Sequence, residues 1–169
     1  MTNLNLPVAE FKIRKQAGKD YVFDRLRKQF VRLTPEEYVR QQFVSFLIEH
    51  KGYPSGRMAN EIEIVLGNVK KRCDTILYDC YLQPLMIIEY KAPSAAISQK
   101  TFDQIARYNF ALQVTWLIVS NGIQHFCCRI DKGKKEYIFV NEIPEYERII
   151  SPIAYPESKH LESLDHILT

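Results

Sequence analysis

The 169-residue sequence has no apolar run approaching the roughly 18 residues that a membrane helix needs. Its first residues, MTNLNLPVAEFKIRK, lack the apolar segment of a secretory signal, so a cytoplasmic protein with no membrane partner is expected. The four cysteines, Cys73, Cys80, Cys127 and Cys128, follow neither a disulfide framework nor a Cys-x-x-Cys zinc spacing. They read as free thiols in a reducing compartment. A zinc site built on His125 and Cys127 would lack a second ligand pair. There is no internal repeat, low-complexity tract or linker, which makes a single domain over 1–169 the simplest organisation. No Gly-x-x-x-x-Gly-Lys-Ser/Thr sequence occurs, so these residues carry no P-loop.

What is present is an ordinary soluble composition with an uneven charge. Hydrophobic residues make up 46% and charged residues 25%, as in globular domains. The net charge of +3 decides little, but its distribution says more. Lys12, Arg14, Lys15, Lys19, Arg25, Arg27, Lys28 and Arg32 stand against only Asp20 and Asp24 in a basic extension spanning 1–33. Lys70, Lys71 and Arg72 form a second basic cluster. Such clusters either neutralise phosphates or form a solvated face.

The pattern of elements predicts a mixed sheet flanked by helices. Short strands are expected at FKIRK and DYVF in the extension. Thr34-Pro35-Glu36-Glu37 opens a helix with Thr34 as N-cap and Pro35 in the first turn. Val39, Phe43, Phe46 and Leu47 line its apolar stripe, and Gly52 closes it after about His50. Residues 60–66 alternate as a half-buried strand, and Gly67-Asn68 turns the chain into a second strand over 71–78. A loop at 79–83 leads to a third strand at 84–90. A helix over 101–112 carries Phe102, Ile105, Ala106 and Leu112 on one side. TWLIVS at 115–120 is a fully buried strand of the kind found in parallel pairs. QHFCCRID and KKEYIFVNE supply further strands. The order is α/β, running αβββαβ, with a core at about 34–141. In the tail at 142–169, Pro152 and Pro156 predict irregular chain, with a short helix near Leu161–Leu168.

The third strand holds the most informative contrast. Leu85 to Ile88 form an apolar run that belongs inside a sheet, yet it ends in Glu89 and Lys91. These two sit at i and i+2 and so share a face, whereas Tyr90 turns the other way. Asp74 lies one strand upstream, where a short antiparallel connection can bring it beside Glu89. Two carboxylates with carbonyl and water oxygens suit Mg²⁺ or Mn²⁺ and metal-dependent hydrolysis. Lys91 can then orient or deprotonate a water, or stabilise a charged transition state. Against this stands the plain alternative of an ion pair at a strand end. Gln104 and Tyr108, at i and i+4, share a helix face offset from the apolar stripe. They suit phosphate contacts equally with a boundary position.

The ordered set Asp74, then Glu89-Tyr90-Lys91, then Gln104-x-x-x-Tyr108 resembles the PD-(D/E)XK nuclease superfamily, including the Gln-x-x-x-Tyr motif of its RecB-like members. The stretches TPEEYVRQQF, KRCDTILYD, IIEYKAPS and FDQIARYN are similar to the N-terminal nuclease domain of type I restriction enzyme R subunits. The likeness covers roughly residues 34–125. Cys73 departs from the pattern, which expects proline before the aspartate; that proline contacts no metal, so the chemistry is unaffected. The resemblance implies a restriction-endonuclease-like fold and Mg²⁺-dependent cleavage of DNA. Asp74 and Glu89 would bind metal, Lys91 would be catalytic, and Gln104 and Tyr108 would support the site. It also implies an acidic residue from the first helix, for which Glu37 is the candidate ligand and a capping-box role the competitor. Glu61 is a further possible ligand, though facing solvent or the basic cluster is the simpler reading. Arg40 would contact phosphate or pair with Glu36 or Glu37.

Three functions follow as expectations. The first is a nuclease, alone or with other restriction-system subunits that supply the motor. The second is a non-catalytic nucleic-acid-binding or assembly module that retains the fold. The third is a protein-interaction domain using exposed aromatics such as Tyr146 and Tyr155.

Overall fold

A computed structural model describes residues 2–151 and the short strand 157–158. The expected helix near Leu161–Leu168, the Pro152 and Pro156 segment, and Tyr155 lie outside the described residues. The chain opens with an antiparallel meander of β1 (Ile13–Gln16), β2 (Lys19–Asp24) and β3 (Gln29–Arg32). The first two are the expected strands. The third, Gln-Phe-Val-Arg, was not expected: its two apolar residues are adjacent and show no alternation.

The larger sheet has seven strands in the order β10-β9-β8-β7-β6-β5-β4. Its members are β4 (Met58–Leu66), β5 (Val69–Tyr78), β6 (Pro84–Tyr90), β7 (Trp116–Ser120), β8 (His125–Asp131), β9 (Glu136–Val140) and β10 (Glu157–Ser158). All neighbours are antiparallel except β6 and β7, which run parallel across the helical connection between them. A parallel pair needs such a crossover. The fold is a mixed α/β arrangement of the restriction-endonuclease-like kind, with the predicted αβββαβ order from the first long helix onward. No described helix is long and apolar enough to cross a membrane.

Helix α1 (Pro35–His50) starts as its sequence dictates: the Thr34 hydroxyl accepts the Glu37 N–H at 3.1 Å, and Pro35 occupies the first turn. It ends where Gly52 adopts a positive φ of 71°, while the Tyr53 N–H donates to the Leu47 carbonyl. This is the left-handed exit for which glycine is suited. Helix α2 (Gln99–Leu112) is capped by Ser98, and a single turn, α3 (Tyr146–Ile149), follows β9.

The two long helices cover opposite faces of the sheet. Val39, Phe43 and Leu47 of α1 pack with Leu77, Met86, Ile88, Tyr90 and Ile118. Phe102, Ala106 and Leu112 of α2 pack with Ile76, Ile87, Leu117 and Val119. Adjacent residues Ile87/Ile88, Leu117/Ile118 and Cys127/Cys128 divide between the two cores, as strand alternation requires. Because β6 and β7 are covered on both faces, their sequences read as continuous apolar runs.

Candidate active site

Strand register brings the carboxylates together. Thr75 pairs with Ile88 across β5 and β6, so the next position along sets Asp74 opposite Glu89. The regular ladder stops at Thr75. Beyond it the Asp74 side chain takes over as acceptor: the Tyr90 N–H donates to Asp74 Oδ2 at 2.8 Å. A carboxylate thereby satisfies a backbone donor that the neighbouring strand no longer reaches. Tyr90 itself points into the α1 core, as alternation predicts, and its ring meets Phe43 at 5.9 Å. It nevertheless stays part of the site, because its amide holds Asp74.

On β4 the backbone does something the sequence hides. Glu61 has φ of 57°, the left-handed region that costs a non-glycine residue energy. Asn60 and Ile62 should share a face, yet Asn60 hydrogen-bonds Thr75 on the α1 side while Ile62 joins the α2 cluster. Thr75 and Cys73 on β5 diverge in the same way. Side-chain alternation therefore reverses across Glu61 and Asp74. The expected common face for Glu61 and Glu63 is lost. Glu63 remains exposed beside Lys70, and the Glu61 carboxylate turns towards Arg40 and Arg72.

Arg40 is the residue whose weight the sequence understated. Its side chain is 5% exposed and reaches three carboxylates: Glu37 at 2.8 Å, Asp74 at 3.3 Å, and Glu61. Burial alone would lower its pKa, but Glu37, Asp74 and Glu61 together raise it. Glu61 is raised by burial yet held below the usual carboxylate range by Arg40 and Arg72. Glu37 does not close a capping box. Its carboxylate turns inward to Arg27, Arg40 and the Gln41 amide. The same Arg27 also binds Asp24, a fully buried carboxylate. Burial pushes Asp24 upward, but hydrogen bonds from Asn60 and Arg27 bring it below its ordinary value. A polar chain from Asp24 through Asn60 and Thr75 to the Tyr90 hydroxyl then ties the basic meander to the site strands.

Glu89 lives differently. Lys71 Nζ lies 2.7 Å from Glu89 Oε1, and both side chains are 14% exposed. The contact is a close ion pair: against the pull of burial, Lys71 lowers the Glu89 carboxyl by charge and by hydrogen bond. Burial pushes the Glu89 carboxyl up to about 7; Lys71 opposes this and the Asp74 charge adds to it. The Asp74 effect means that the two carboxylates repel each other. Lys91 draws the Glu89 pKa down, which puts its ammonium within electrostatic reach. The Lys91 N–H is anchored to the Ser120 carbonyl on β7 at 2.9 Å. Lys71 Nζ also lies 5.9 Å from the Tyr108 ring centroid. Gln104 and Tyr108 are both exposed on α2, Tyr108 at 53%.

The structure therefore gathers Asp74, Glu89 and Lys91, sets Tyr108 beside Lys71, and commits Glu37 to two arginines. Among the described residues, no three Asp, Glu, His or Cys side chains converge as a ready metal cage, so Glu37, Asp74 and Glu89 do not form such a triad. Two hard-oxygen carboxylates suit a cation that keeps most of its water, which is the habit of Mg²⁺. A raised carboxylate on Glu89, buried beside the charge of Asp74, is the kind of group that a divalent ion would stabilise. The expected pairing of Arg40 with Glu37 is present, whereas its reach to Glu61 and Asp74, and the role of Lys71, were missed. Arg40 could have been found from its place one turn after Glu37 on a buried stripe. For Lys71, the only signal was its parity with Cys73.

The curated proteins include no match to the chain. The family described as type I restriction enzyme R protein N terminus matches residues 35–144, from the start of α1 through the strands after α2. That span covers well over half of the sequence and contains every residue of the Asp74, Glu89, Lys91, Gln104 and Tyr108 set, and the chain belongs to this family.

Proposed function

We propose that the protein is an Mg²⁺-dependent nuclease, using Mn²⁺ as an alternative ion, that hydrolyses phosphodiester bonds of DNA, most simply as an endonuclease. The single observation that carries this reading is the cross-strand setting of Asp74 opposite Glu89, with Lys91 two residues further along. Asp74 and Glu89 would hold the ion. When bound, the ion stabilises charge on a phosphate oxygen and makes a water more acidic.

The chain's own residues have separate tasks. Lys91 Nζ donates to the attacking water or to a phosphate oxygen, and its charge opposes the negative charge developing there. The Tyr90 amide fixes Asp74 so that its remaining lone pairs point in one direction. Gln104 and the Tyr108 hydroxyl offer donors to flanking phosphate oxygens from the exposed face of α2. The basic meander tracks the DNA backbone through charge alone. The setting we infer is the cytoplasm, where four free cysteines stay reduced. Other restriction-system subunits are the expected partners.

The competing reading is a DNA-binding or assembly module without catalysis. The occupation of Asp74 by Arg40 and of Glu89 by Lys71 is what favours it. A plasmid-nicking assay separates the two. Wild type with Mg²⁺ or Mn²⁺ should convert supercoiled DNA, chelator should stop it, and Asp74→Ala or Lys91→Ala should slow it by about 10²-fold or more. Equal trace cleavage by wild type and both variants would remove the nuclease reading.

A further inference from the structure

The site's acidic residues outnumber the ligands that one Mg²⁺ requires. Glu37, Glu61, Asp74 and Glu89 form no ready metal cage among the described residues, yet so many carboxylates call for positive charge beyond a single ion. In this chain a guanidinium stands among three of them. Arg40 binds Glu37 through Nη1 at 2.8 Å, and Glu61 and Asp74 through Nη2. Its ring-facing side is closed by Tyr90, whose centroid lies 5.8 Å from the guanidinium carbon.

This arrangement is built rather than incidental. Arg40 is held in place by the core face of α1, and a side chain with 5% exposure has little freedom to leave. Glu61 reaches it only because of the left-handed backbone at that residue, a costly conformation that persists where surrounding structure demands it. Glu37 is gripped from the far side by Arg27 and Gln41. The positive charge at this point is therefore permanent, planar and directional, three properties that distinguish arginine from lysine.

Resting on the nuclease reading, we propose that Arg40 is a positioning residue that occupies the place of a second divalent cation, so that the chain binds one metal ion rather than two. Glu37 and Glu61 then serve Arg40 rather than the metal. Asp74 is shared: Oδ1 faces Arg40 and Oδ2 the Tyr90 amide, and the remaining lone pairs are left for the ion alongside Glu89. One guanidinium thus holds Asp74 in the ligand geometry, as outer partners of metal ligands do.

The test counts ions without asking for cleavage. Chelator-washed, DNA-free protein is titrated with Mn²⁺, and bound ion is followed by calorimetry and by the electron paramagnetic resonance signal of free Mn²⁺. Wild type should take up one ion per chain. Arg40→Lys, which keeps a cation, should also take up one. Arg40→Gln leaves Asp74, Glu37 and Glu61 around an uncharged amide, with Arg27 and Arg72 on the far sides of the two glutamates, and should take up two. Two ions on wild type would overturn the assignment of Arg40 while leaving a metal nuclease standing. A single ion on a folded Arg40→Gln variant would overturn it equally. No ion on wild type at millimolar Mn²⁺ would overturn both this inference and the nuclease reading. Should Arg40→Gln fail to fold, the wild-type and Arg40→Lys counts still decide the matter, since two ions on either sinks the proposal.

Discussion

The two sides of the site are built on different principles. Towards α1, Glu37, Glu61 and Asp74 surround Arg40, most of it is buried, and nearly every oxygen has a cationic partner. Towards α2, Glu89 has Lys71 as its ion-pair partner, Lys91 forms no ion pair among the described residues, and Gln104 and Tyr108 face solvent. One half is finished before any ligand arrives, while the other still has donors and a raised carboxylate to offer. The contrast suggests that geometry is fixed from α1 and substrate is met from α2.

The sharpest way to break that contrast is to remove cations that share a carboxylate. Arg40 and Arg72 both bind Glu61, but Arg40 is 5% and Arg72 69% exposed. Arg40→Ala leaves Asp74 without its arginine, takes one of two cationic partners from both Glu37 and Glu61, and should cost about 3–5 kcal/mol. Arg72→Ala removes a screened surface pair and should cost no more than about 1 kcal/mol. Urea denaturation at neutral pH measures both. Comparable losses would mean that the α1 side is not the rigid half.

A pH series probes the other side. The Glu89 carboxyl is raised from an ordinary 4.5 to about 7. The folded state therefore holds a proton that the unfolded chain has released across that window. Its stabilising effect is complete below about pH 4.5 and fades as pH rises towards 7. Wild type in chelator should thus lose about 2–4 kcal/mol between these limits relative to Glu89→Gln, from the linkage of pKa to stability. Asp24 and Glu61, held low, act in the opposite sense and lose their contribution only in stronger acid. Parallel stability profiles for wild type and Glu89→Gln would show that Glu89 is no strained group.

Much of this was legible because it depends on local rules. The Thr34-Pro35 start, the buried 115–120 run and the division of faces at Glu89 and Tyr90 all follow from periodicity and capping, and the structure reproduces them. Glu61 meets the basic cluster at Arg72 as expected, but its shared face with Glu63 fails and its contact with Arg40 was unforeseen, because alternation assumes a regular backbone and one left-handed residue reverses which face each side chain takes. Arg40 was read as a phosphate contact or a partner for one glutamate. Its triple role needs β4 and β5 folded against α1, a non-local fact. Lys71 was grouped with Lys70 and Arg72 as a basic cluster, although strand parity sends it inward to Glu89 while its neighbours stay exposed.

The smallest effect falls on Tyr108, and it asks whether the open half is open for a purpose. Its hydroxyl makes no hydrogen bond among the described residues, and the ring that faces Lys71 is kept in phenylalanine. Tyr108→Phe should therefore leave stability within about 0.5 kcal/mol, as substitutions at exposed positions do. If the hydroxyl donates to a phosphate oxygen, the same change should lower kcat/KM for DNA cleavage by about tenfold or less, the worth of one neutral hydrogen bond. The two readouts separate cleanly, because a residue that only packs would move stability and leave the turnover of the folded protein alone. A loss of stability with unchanged turnover would place Tyr108 with the structural residues. It would also leave Lys91 and Gln104 as the donors on the α2 side for which the chemistry has a use.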